Sequence, residues 1–182
     1  MLDTKEKILL RSTYLWYFAA GMLGPLFAVF AEKIGGDILD LSWAWATYLI
    51  VSGILIIVIG KISDSFLTKE KLMIAGYALN TVFTFGYLLV SSPFHLFIIE
   101  AGLGLASALA WPTWDALYAK YENKDHDGYA WGLAAGGEFL MGGIGLIAGG
   151  FIVSYFSFST LFITMGFIQL AATLYQSKIL LK

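Results

Sequence analysis

The chain alternates between six apolar stretches and five short polar linkers, and this alternation limits what it can fold into. The apolar stretches cover residues 12–31, 43–60, 71–90, 94–117, 129–153 and 159–176. A helix rises about 1.5 Å per residue, so each stretch is long enough to cross a hydrocarbon core of about 30 Å. The pattern predicts an all-α integral membrane protein with six transmembrane helices that form a single domain over residues 1–182.

The positive charges indicate how this bundle is oriented. Ten of the eleven Lys and Arg residues lie in the N-terminal segment, the second and fourth linkers and the C-terminal tail. The other three linkers contain only Lys33, which has Glu32 nearby. Because short cytoplasmic loops carry an excess of Lys and Arg, we expect both termini in the cytoplasm. The expected location is the cell (plasma or inner) membrane, with the lipid bilayer as a partner.

Composition argues against several classes of function. Apolar residues make up 59% of the chain and charged residues 13%, too few charges for the surface of a soluble domain. The absence of cysteine removes thiol catalysis and thiolate metal sites. The sequence also lacks the glycine-rich phosphate loop of ATPases, and His95 and His126 fall on opposite sides of the predicted membrane. We therefore expect no enzymatic activity, cofactor, metal site or nucleic-acid partner.

One face of the fourth span carries polar and small residues within an apolar helix. Spacings of four, three, four and four residues separate Glu100, Gly104, Ser107, Trp111 and Asp115. These spacings place all five on one helical face. A charged carboxylate at membrane depth costs several kcal/mol. We therefore favour a role in a substrate or proton pathway over a purely structural hydrogen bond between helices.

The fifth span combines an acid with a stripe of glycines. Glu138 is followed on the same face by Gly142, Gly145 and Gly149, with Gly150 beside them. Glu138 lies about 13 Å from the start of the span at residue 129, near the midplane, where a charge is most costly. It is a candidate proton carrier, and an interhelical hydrogen bond is the structural alternative. The glycines predict close packing against another helix.

The first and third spans add polar and aromatic side chains. Tyr17 is a candidate substrate contact, whereas Tyr14 is expected in the aromatic belt at the membrane surface. Gly24 and Pro25 should weaken the first helix where it borders a cavity or a neighbouring helix. The third span carries a stripe that we interpret as interhelical hydrogen bonding, formed by Tyr77, Asn80, Thr84 and Tyr87. Belt positions are also predicted for Trp43, Trp45 and Trp131.

The linker between the second and third spans carries a recognisable signature. It reads Gly60-Lys-Ile-Ser-Asp64-Ser-Phe-Leu-Thr-Lys69-Glu-Lys71 and resembles the G-x-x-x-D-x-x-x-x-[RK]-x-[RK] loop of the major facilitator superfamily. The resemblance implies a gating loop formed by Gly60, Asp64, Lys69 and Lys71, with Asp115 nearby. Gly60 is expected to allow a close turn, and Asp64 to pair with cations or with a helix N-terminus.

Two further stretches are similar to the same superfamily. Glu100 and Gly104 occupy the places of an Arg and a Gly that are common in its fourth helix. Gly132 and the run from Gly145 to Gly150 resemble its glycine-rich antiporter motif. The resemblance covers nearly the whole chain, but it corresponds to the N-terminal half of a family member.

A half of this kind implies a particular assembly. Complete members have two six-helix halves related by an axis along the membrane normal. Two copies of this chain would have the required orientation, so the resemblance implies a secondary transporter of small solutes that works by alternating access as a homodimer. The first and fourth spans would line its cavity. The second and fifth would form the interface, with the glycine stripe facing the partner's second span.

Symmetry would bring two copies of each carboxyl group into one cavity. Like charges repel, so one acid of each pair would hold a proton, which suits proton coupling through Glu100 and Glu138. The candidate cavity contains acids and tyrosines, with at most Arg11 near its cytoplasmic mouth, which favours neutral or cationic solutes over multivalent anions. Three alternatives stay open: an isolated or truncated half without transport activity, a subunit of a heteromeric carrier, and a membrane-embedded structural partner.

Overall fold

The computed structural model describes residues 3–65, 68–122 and 124–181, and these residues form seven α-helices with no strand. The helices are α1 (Thr4–Leu23), α2 (Leu26–Lys33), α3 (Ile38–Ser65), α4 (Lys69–Gly86), α5 (Pro93–Tyr121), α6 (Asp127–Tyr155) and α7 (Phe158–Gln176). Helices α3 to α7 are each long and apolar enough to cross a membrane, and α1 with α2 passes the same test as one bent span. The predicted all-α membrane fold is confirmed.

The first span is broken at Gly24 and Pro25, where α1 and α2 meet at a bend of 50°. Gly24 has a φ of +29°, a backbone conformation that favours glycine. Pro25 has no N–H to donate to the carbonyl of Gly21, so the helical ladder is interrupted there. The helix resumes when the N–H of Phe27 donates to the carbonyl of Gly24 at 3.1 Å. The weakening expected from the sequence is confirmed as a complete break.

Apart from the short α2, the helices form two groups of three that meet along one seam. In the first group α1 packs against α6 and α7, and in the second α5 packs against α3 and α4. Helices α4 and α7 form the seam, where the hydroxyls of Thr81 and Thr173 lie 2.9 Å apart. Helices α1 and α5 have little contact with each other. A cleft therefore opens between α1 and α5, with α4 and α7 as its floor.

Both termini lie at one end of the bundle, which we call the terminal end. There the Arg11 guanidinium donates to the Tyr175 hydroxyl at 3.2 Å, and the Lys5 ammonium lies 5.1 Å from the centre of the Tyr121 ring. At the opposite, distal end, Lys33 lies 5.4 Å from the centre of the Phe158 ring. Cations near the termini and Lys33 thus occupy opposite ends of the bundle, as the alternation of spans requires.

Gly145 and Gly149 bring the backbones of α6 and α1 into direct contact. A Cβ atom at Gly145 would lie 2.1 Å from the carbonyl oxygen of Phe18, and one at Gly149 would lie 1.9 Å from that of Met22. The expectation that this stripe faces a partner's second span is therefore wrong for these two glycines. They pack against the same chain because only a glycine leaves room for the α1 backbone.

The other two glycines of the stripe have different surroundings. A Cβ atom at Gly142 or Gly150 would meet no atom within 4 Å. Gly142 contributes through its backbone instead, because a Cβ at Gly21 of α1 would lie 2.4 Å from the Gly142 carbonyl oxygen. Gly150 takes no part in this close contact.

The turn expected at Gly60 is wrong, because Gly60 lies inside α3 and the helix continues to Ser65. Only Gly24 and Gly35 have a positive φ among the described glycines. The Ser63 hydroxyl donates to the Gly60 carbonyl at 2.8 Å, a bond within the helix. The middle of the signature, residues 66 and 67, lies outside the described residues.

The contact between α1 and α6 predicts a position-specific loss of stability. Gly149→Ala should lower the free energy of unfolding by about 1–3 kcal/mol, because the new methyl group forces the two backbones apart. Gly143→Ala is the matched control. Gly143 lies on the same helix, α6, and a Cβ atom there would meet nothing within 4 Å. Unfolding by denaturant in mixed micelles measures both. Equal destabilisation by the two variants would contradict the packing described here.

Candidate functional site

The cleft between α1 and α5 contains two cavities. The larger, of about 590 Å³, lies toward the distal end and is called the distal cavity. The smaller, of about 300 Å³, lies toward the terminal end and is called the terminal cavity. Trp16 of α1 lines both. Among the described residues that line them, none is Lys, Arg or His.

The distal cavity is built around a buried carboxyl group. Glu100 of α5 is only 2% exposed, and the Tyr87 hydroxyl donates a hydrogen bond to it. The Tyr87 ring is held in turn by stacking on Phe162, with ring centres 4.9 Å apart. On the neighbouring helices α3 and α5, the hydroxyls of Tyr48 and Ser107 lie 3.0 Å apart. The wall thus contains an acid and hydroxyls that are already paired, within an aromatic surround.

Two amide side chains also belong to the polar lining of the distal cavity, together with the hydroxyl residues Ser42 and Thr84. Gln169 of α7 donates from Nε2 to the Trp16 carbonyl at 3.2 Å. Its Oε1 atom and the Nδ2 atom of Asn80 on α4 are both buried, and neither makes a hydrogen bond within the described part of the chain. Both residues belong to the cavity floor, where α4 and α7 meet.

The terminal cavity contains two acids. Glu138 of α6 is half-buried beside Tyr17 of α1, and Asp115 of α5 lines the same cavity. Trp111 lies on the same wall as Asp115. Eleven residues separate Glu138 from the start of α6, which places it about 16 Å along that helix. Two carboxyl groups near one another in a cavity without a lining cation can exchange protons with water that enters it.

Trp16 and Tyr77 separate the two cavities. Their rings are in edge-to-face contact, with centres 4.6 Å apart, and Trp16 is buried. The Tyr77 hydroxyl and the Thr13 hydroxyl lie 3.0 Å apart, which fixes the Tyr77 ring against α1. Trp16 of α1, which lines both cavities, is therefore held in place by an aromatic side chain of α4.

Comparison with known proteins assigns the family. The family model of the Major Facilitator Superfamily matches residues 12–181. The chain belongs to the Major Facilitator Superfamily. The match is consistent with a single six-helix half. Members of the superfamily are secondary transporters, and the chain is a multi-pass membrane protein. No curated protein matches it.

The pathway residues predicted for this superfamily member divide between the two cavities. Glu100 and Ser107 line the distal cavity. Tyr17, Trp111 and Glu138 line the terminal cavity. Gly104, on the same face of α5, lines neither and packs against α3, where its Cβ would lie 2.9 Å from the Tyr48 carbonyl oxygen. The single face predicted for α5 thus serves two cavities and one helix contact.

The residues predicted to form the gating loop are divided between the connection of α3 with α4 and the terminal cavity. Asp115 lines the terminal cavity, six residues before the end of α5, and not a loop. Asp64 pairs with Lys69 at 2.5 Å across the connection between α3 and α4, and Lys71 is exposed in the first turn of α4. Gly60 lies within α3. Only Asp64 and Lys69 form the contact that the signature suggests.

Three aromatic residues expected in the interfacial belt also make contacts within the chain or line the cleft. The Tyr14 hydroxyl donates to the Leu133 carbonyl at 2.8 Å. Trp45 lines the distal cavity, and Trp131 lines the terminal cavity. Trp45 and Trp131 are also 52% and 39% exposed, so a place in the interfacial belt stays a prediction for these residues.

Sequence reasoning missed several residues that line the distal cavity. Asn80 and Tyr87 belong to the polar stripe of the third span, which was interpreted only as helix packing. Gln169 is a single amide within an apolar stretch. A polar stripe at helical spacing and an isolated amide at membrane depth are the signals that point to these positions.

The pair of Tyr87 and Glu100 predicts a measurable coupling. A double-mutant cycle with Tyr87→Phe, Glu100→Leu and the double variant should give an interaction free energy of about 1 kcal/mol, because either single change removes the buried hydrogen bond. Denaturant unfolding in mixed micelles measures the cycle. Tyr155→Phe, an exposed site at the distal end of α6, is the control. Additive single effects would mean that the hydrogen bond does not stabilise the fold.

Proposed function

We propose that this protein is a secondary transporter of small solutes that works by alternating access as a homodimer, with proton coupling through Glu138 and Glu100. The observation that supports this most directly is the cleft between α1 and α5. It holds two cavities with carboxyl groups at membrane depth, and carboxylates there are costly unless they have a function.

A second copy would complete the pathway. The cleft has a floor, formed by α4 and α7, and two walls, formed by α1 and α5 with their neighbours. A second copy in the same orientation, related by a two-fold axis along the membrane normal, would place an identical cleft opposite the first. The solute pathway would then lie on the axis, with both termini of both copies in the cytoplasm.

Helices α3 and α6 are the candidates for the interface between the copies. In the most apolar 18-residue stretch of each of these two helices, only 11% is buried inside the chain. The corresponding share is 39% in α4 and α7 and 44% in α5. Ile54 on α3 and Phe139 on α6 are exposed and lie about 16 and 18 Å from the terminal end of their helices. The two side chains therefore occupy the same level of the bundle.

This interface predicts a selective cross-link. The chain has no cysteine, so Ile54→Cys and Phe139→Cys in one chain should give a covalent dimer under mild oxidation, because each cysteine meets the other kind in the partner copy. Val82→Cys with Phe167→Cys, exposed sites on α4 and α7, is the matched control and should form no covalent dimer. Electrophoresis without reductant reads out both.

Native mass spectrometry of the protein in lipid nanodiscs, over a dilution series, provides an independent measurement of assembly. A dimer that persists on dilution agrees with the cross-link. A monomer at every concentration, together with no cross-link, would contradict the homodimer. The chain would then be an isolated half or the subunit of a heteromeric carrier.

The connection between α3 and α4 is proposed to close the terminal end. Asp64 is exposed and lies at the end of α3, so in the dimer it would reach the start of the partner's α6. A carboxylate is favourable at a helix N-terminus, which would hold the two copies together there. Lys69 competes for Asp64 through the ion pair described above, and Lys71 lies within the same turn of α4. When the terminal end opens, Asp64 would leave the start of the partner's α6 and pair with Lys69.

Glu138 has the position expected of a proton carrier. It is half-buried, lies beside the Tyr17 hydroxyl and shares its cavity with Asp115. In the proposed dimer the two copies of Glu138 would approach one another across the axis. Two ionised acids at this depth repel, so that loss and gain of a proton would change the energy of the closed arrangement.

Glu138→Gln should therefore abolish uptake driven by a pH gradient in proteoliposomes and leave exchange of solute at equal pH in place, because Gln keeps the shape of Glu but cannot gain or lose a proton near neutral pH. The solute is first chosen because it stabilises the protein against unfolding. Its uptake with and without a pH gradient then measures the effect of the substitution. Asp37→Asn, which removes an exposed acid in the connection between α2 and α3, is the control. Unchanged pH dependence in both Glu138→Gln and Glu100→Gln would refute proton coupling.

A further inference from the structure

Aromatic side chains make up half of the lining of the terminal cavity. Six of its twelve lining residues are aromatic, whereas aromatic residues are 16% of the chain. Trp111 of α5 and Trp131 of α6 are 43% and 39% exposed, so both rings have surface that a solute in the cavity can reach. The faces of aromatic rings carry a negative electrostatic potential, and tryptophan attracts cations most strongly. The lining of this cavity therefore suits a positively charged solute.

The rings lie on two walls of the cleft, and neighbouring side chains orient the Trp131 ring. It is in edge-to-face contact with the ring of Tyr118 on α5, with centres 5.1 Å apart. The Tyr118 ring stacks on that of Trp114 with centres 4.7 Å apart, and the Tyr118 hydroxyl donates to the Ala130 carbonyl at 2.6 Å. Packing within the chain thus fixes this aromatic wall before a solute arrives.

Asp115 supplies a negative charge beside these rings. It follows Trp111 by four residues on the same face of α5 and lines the same cavity. Asp115 is exposed, and within the described part of the chain it takes part in no hydrogen bond and no ion pair. Glu138 differs, because the Tyr17 hydroxyl is its hydrogen-bond partner. Asp115 is therefore the carboxyl group of this cavity that is open to a ligand.

The cations of the chain lie elsewhere. Arg11, expected near the cytoplasmic mouth, contacts Tyr175 of α7 and lines neither cavity. Four contacts of lysines with aromatic rings occur among the described residues, and all use rings outside both cavities. They are Lys5 and Lys120 over Tyr121, Lys33 over Phe158, and Lys178 over Tyr175. A cation for the rings and the carboxyl groups of the terminal cavity would have to come from a solute.

The remaining polar groups of the terminal cavity do not favour an anion. The hydroxyls of Thr13 and Tyr77 lie 3.0 Å apart and pair with each other. The Trp114 N–H donates to the Leu9 carbonyl at 3.5 Å. The other three indole N–H groups of the lining are donors that an anion could use. An anion there would, however, lie beside two carboxyl groups with no lining cation to offset the repulsion.

We infer that the terminal cavity binds organic cations, above all those with a quaternary ammonium group, between Trp111, Trp131 and Asp115. Ring faces attract such a cation, and the carboxylate balances its charge. Small inorganic cations instead need several oxygen ligands. The described residues include no group of three or more acidic or histidine side chains that could hold a metal ion. A cavity of about 300 Å³ has room for a small organic cation.

The inference rests on the proposed function, because it names the substrate class of that transporter. Asp115 lies six residues, about 9 Å, from the terminal end of α5. A solute that crosses the membrane would pass this cavity and the distal cavity in turn. Glu138, the proposed proton carrier, lies deeper, so the solute and the proton are assigned to different acids.

The test compares three probes with the same head of three methyl groups: choline, glycine betaine and 3,3-dimethylbutan-1-ol, in which carbon replaces the charged nitrogen of choline. Calorimetric titration uses the protein in nanodiscs of zwitterionic lipid, with empty nanodiscs as reference. Choline should bind at least roughly tenfold more tightly than the neutral alcohol. Betaine should bind more weakly than choline, because Asp115 and Glu138 repel its carboxylate.

Substitutions identify the groups that hold choline. Asp115→Asn should weaken choline binding roughly tenfold and leave the neutral alcohol unchanged, because it removes only charge. Trp111→Leu should weaken choline binding roughly fivefold, and Trp111→Phe, which keeps a ring, should weaken it less. Asp37→Asn and Trp43→Leu are the matched controls, since they alter an exposed acid and an exposed tryptophan outside both cavities.

Asp115→Asn is nearly isosteric at an exposed position, so it tests the inference even where a tryptophan variant does not fold. Choline binding no tighter than that of the alcohol would overturn the inference, as would tightest binding of betaine. Choline binding that neither Asp115→Asn nor Trp111→Leu alters would overturn it as well.

The two proposals fail in distinguishable ways. Binding is measured on the protein in nanodiscs and requires no transport. If choline binds through Asp115 and Trp111 but no solute is carried across a membrane, the transport proposal fails and this inference holds. If a solute is transported with no dependence on Asp115 or Trp111, this inference fails and the transport proposal holds.

Discussion

The backbone contact between α1 and α6 at Gly145 and Gly149 determines where the cleft opens. Inside a membrane, helices associate through close packing because lipid is as apolar as the helices themselves. Helix α1 therefore turns one face to α6, where glycines admit its carbonyls. Its other face, with Trp16 and Tyr17, is left toward α5. Helix α5 is drawn in the opposite direction, since Gly104 packs against the backbone of α3. The cleft opens because each of its two walls packs closely against a different neighbouring helix.

The fold was largely predictable because its main constraint is local. A stretch of apolar residues long enough to cross the membrane must be helical, and the Gly24–Pro25 break follows from the missing N–H of Pro25 without any tertiary information. Which helices pack against a given helix, in contrast, cannot be read from that helix's own sequence. A stripe of glycines indicates close packing but not the neighbour, so the assignment of Gly145 and Gly149 to a partner was wrong. The continuation of α3 past Gly60 likewise depends on context that a motif does not contain.

The residues of the candidate site that could be predicted are those whose placement inside a membrane costs free energy. Glu100 and Glu138 stand out because charge is rare in apolar segments, and both line cavities in the cleft. Asn80 and Gln169 were missed because amides at membrane depth commonly pair between helices, which makes them look structural. Only an inventory of hydrogen-bond partners distinguishes an amide that is satisfied from one that is not. Tyr87, thirteen residues before Glu100, is recognisable as its partner only once α4 and α5 are packed.

Trp16 connects the two cavities physically, and this places a requirement on any transport cycle. Its carbonyl accepts the hydrogen bond that orients Gln169 in the distal cavity, and its ring packs on Tyr77 at the boundary with the terminal cavity. The next residue, Tyr17, lies beside Glu138. In the proposed transporter, a solute in the distal cavity and a proton on Glu138 would therefore act on adjacent residues of one helix. Movement of α1 by a fraction of a turn would alter both environments together, so coupling between solute and proton requires no pathway longer than this one segment of α1.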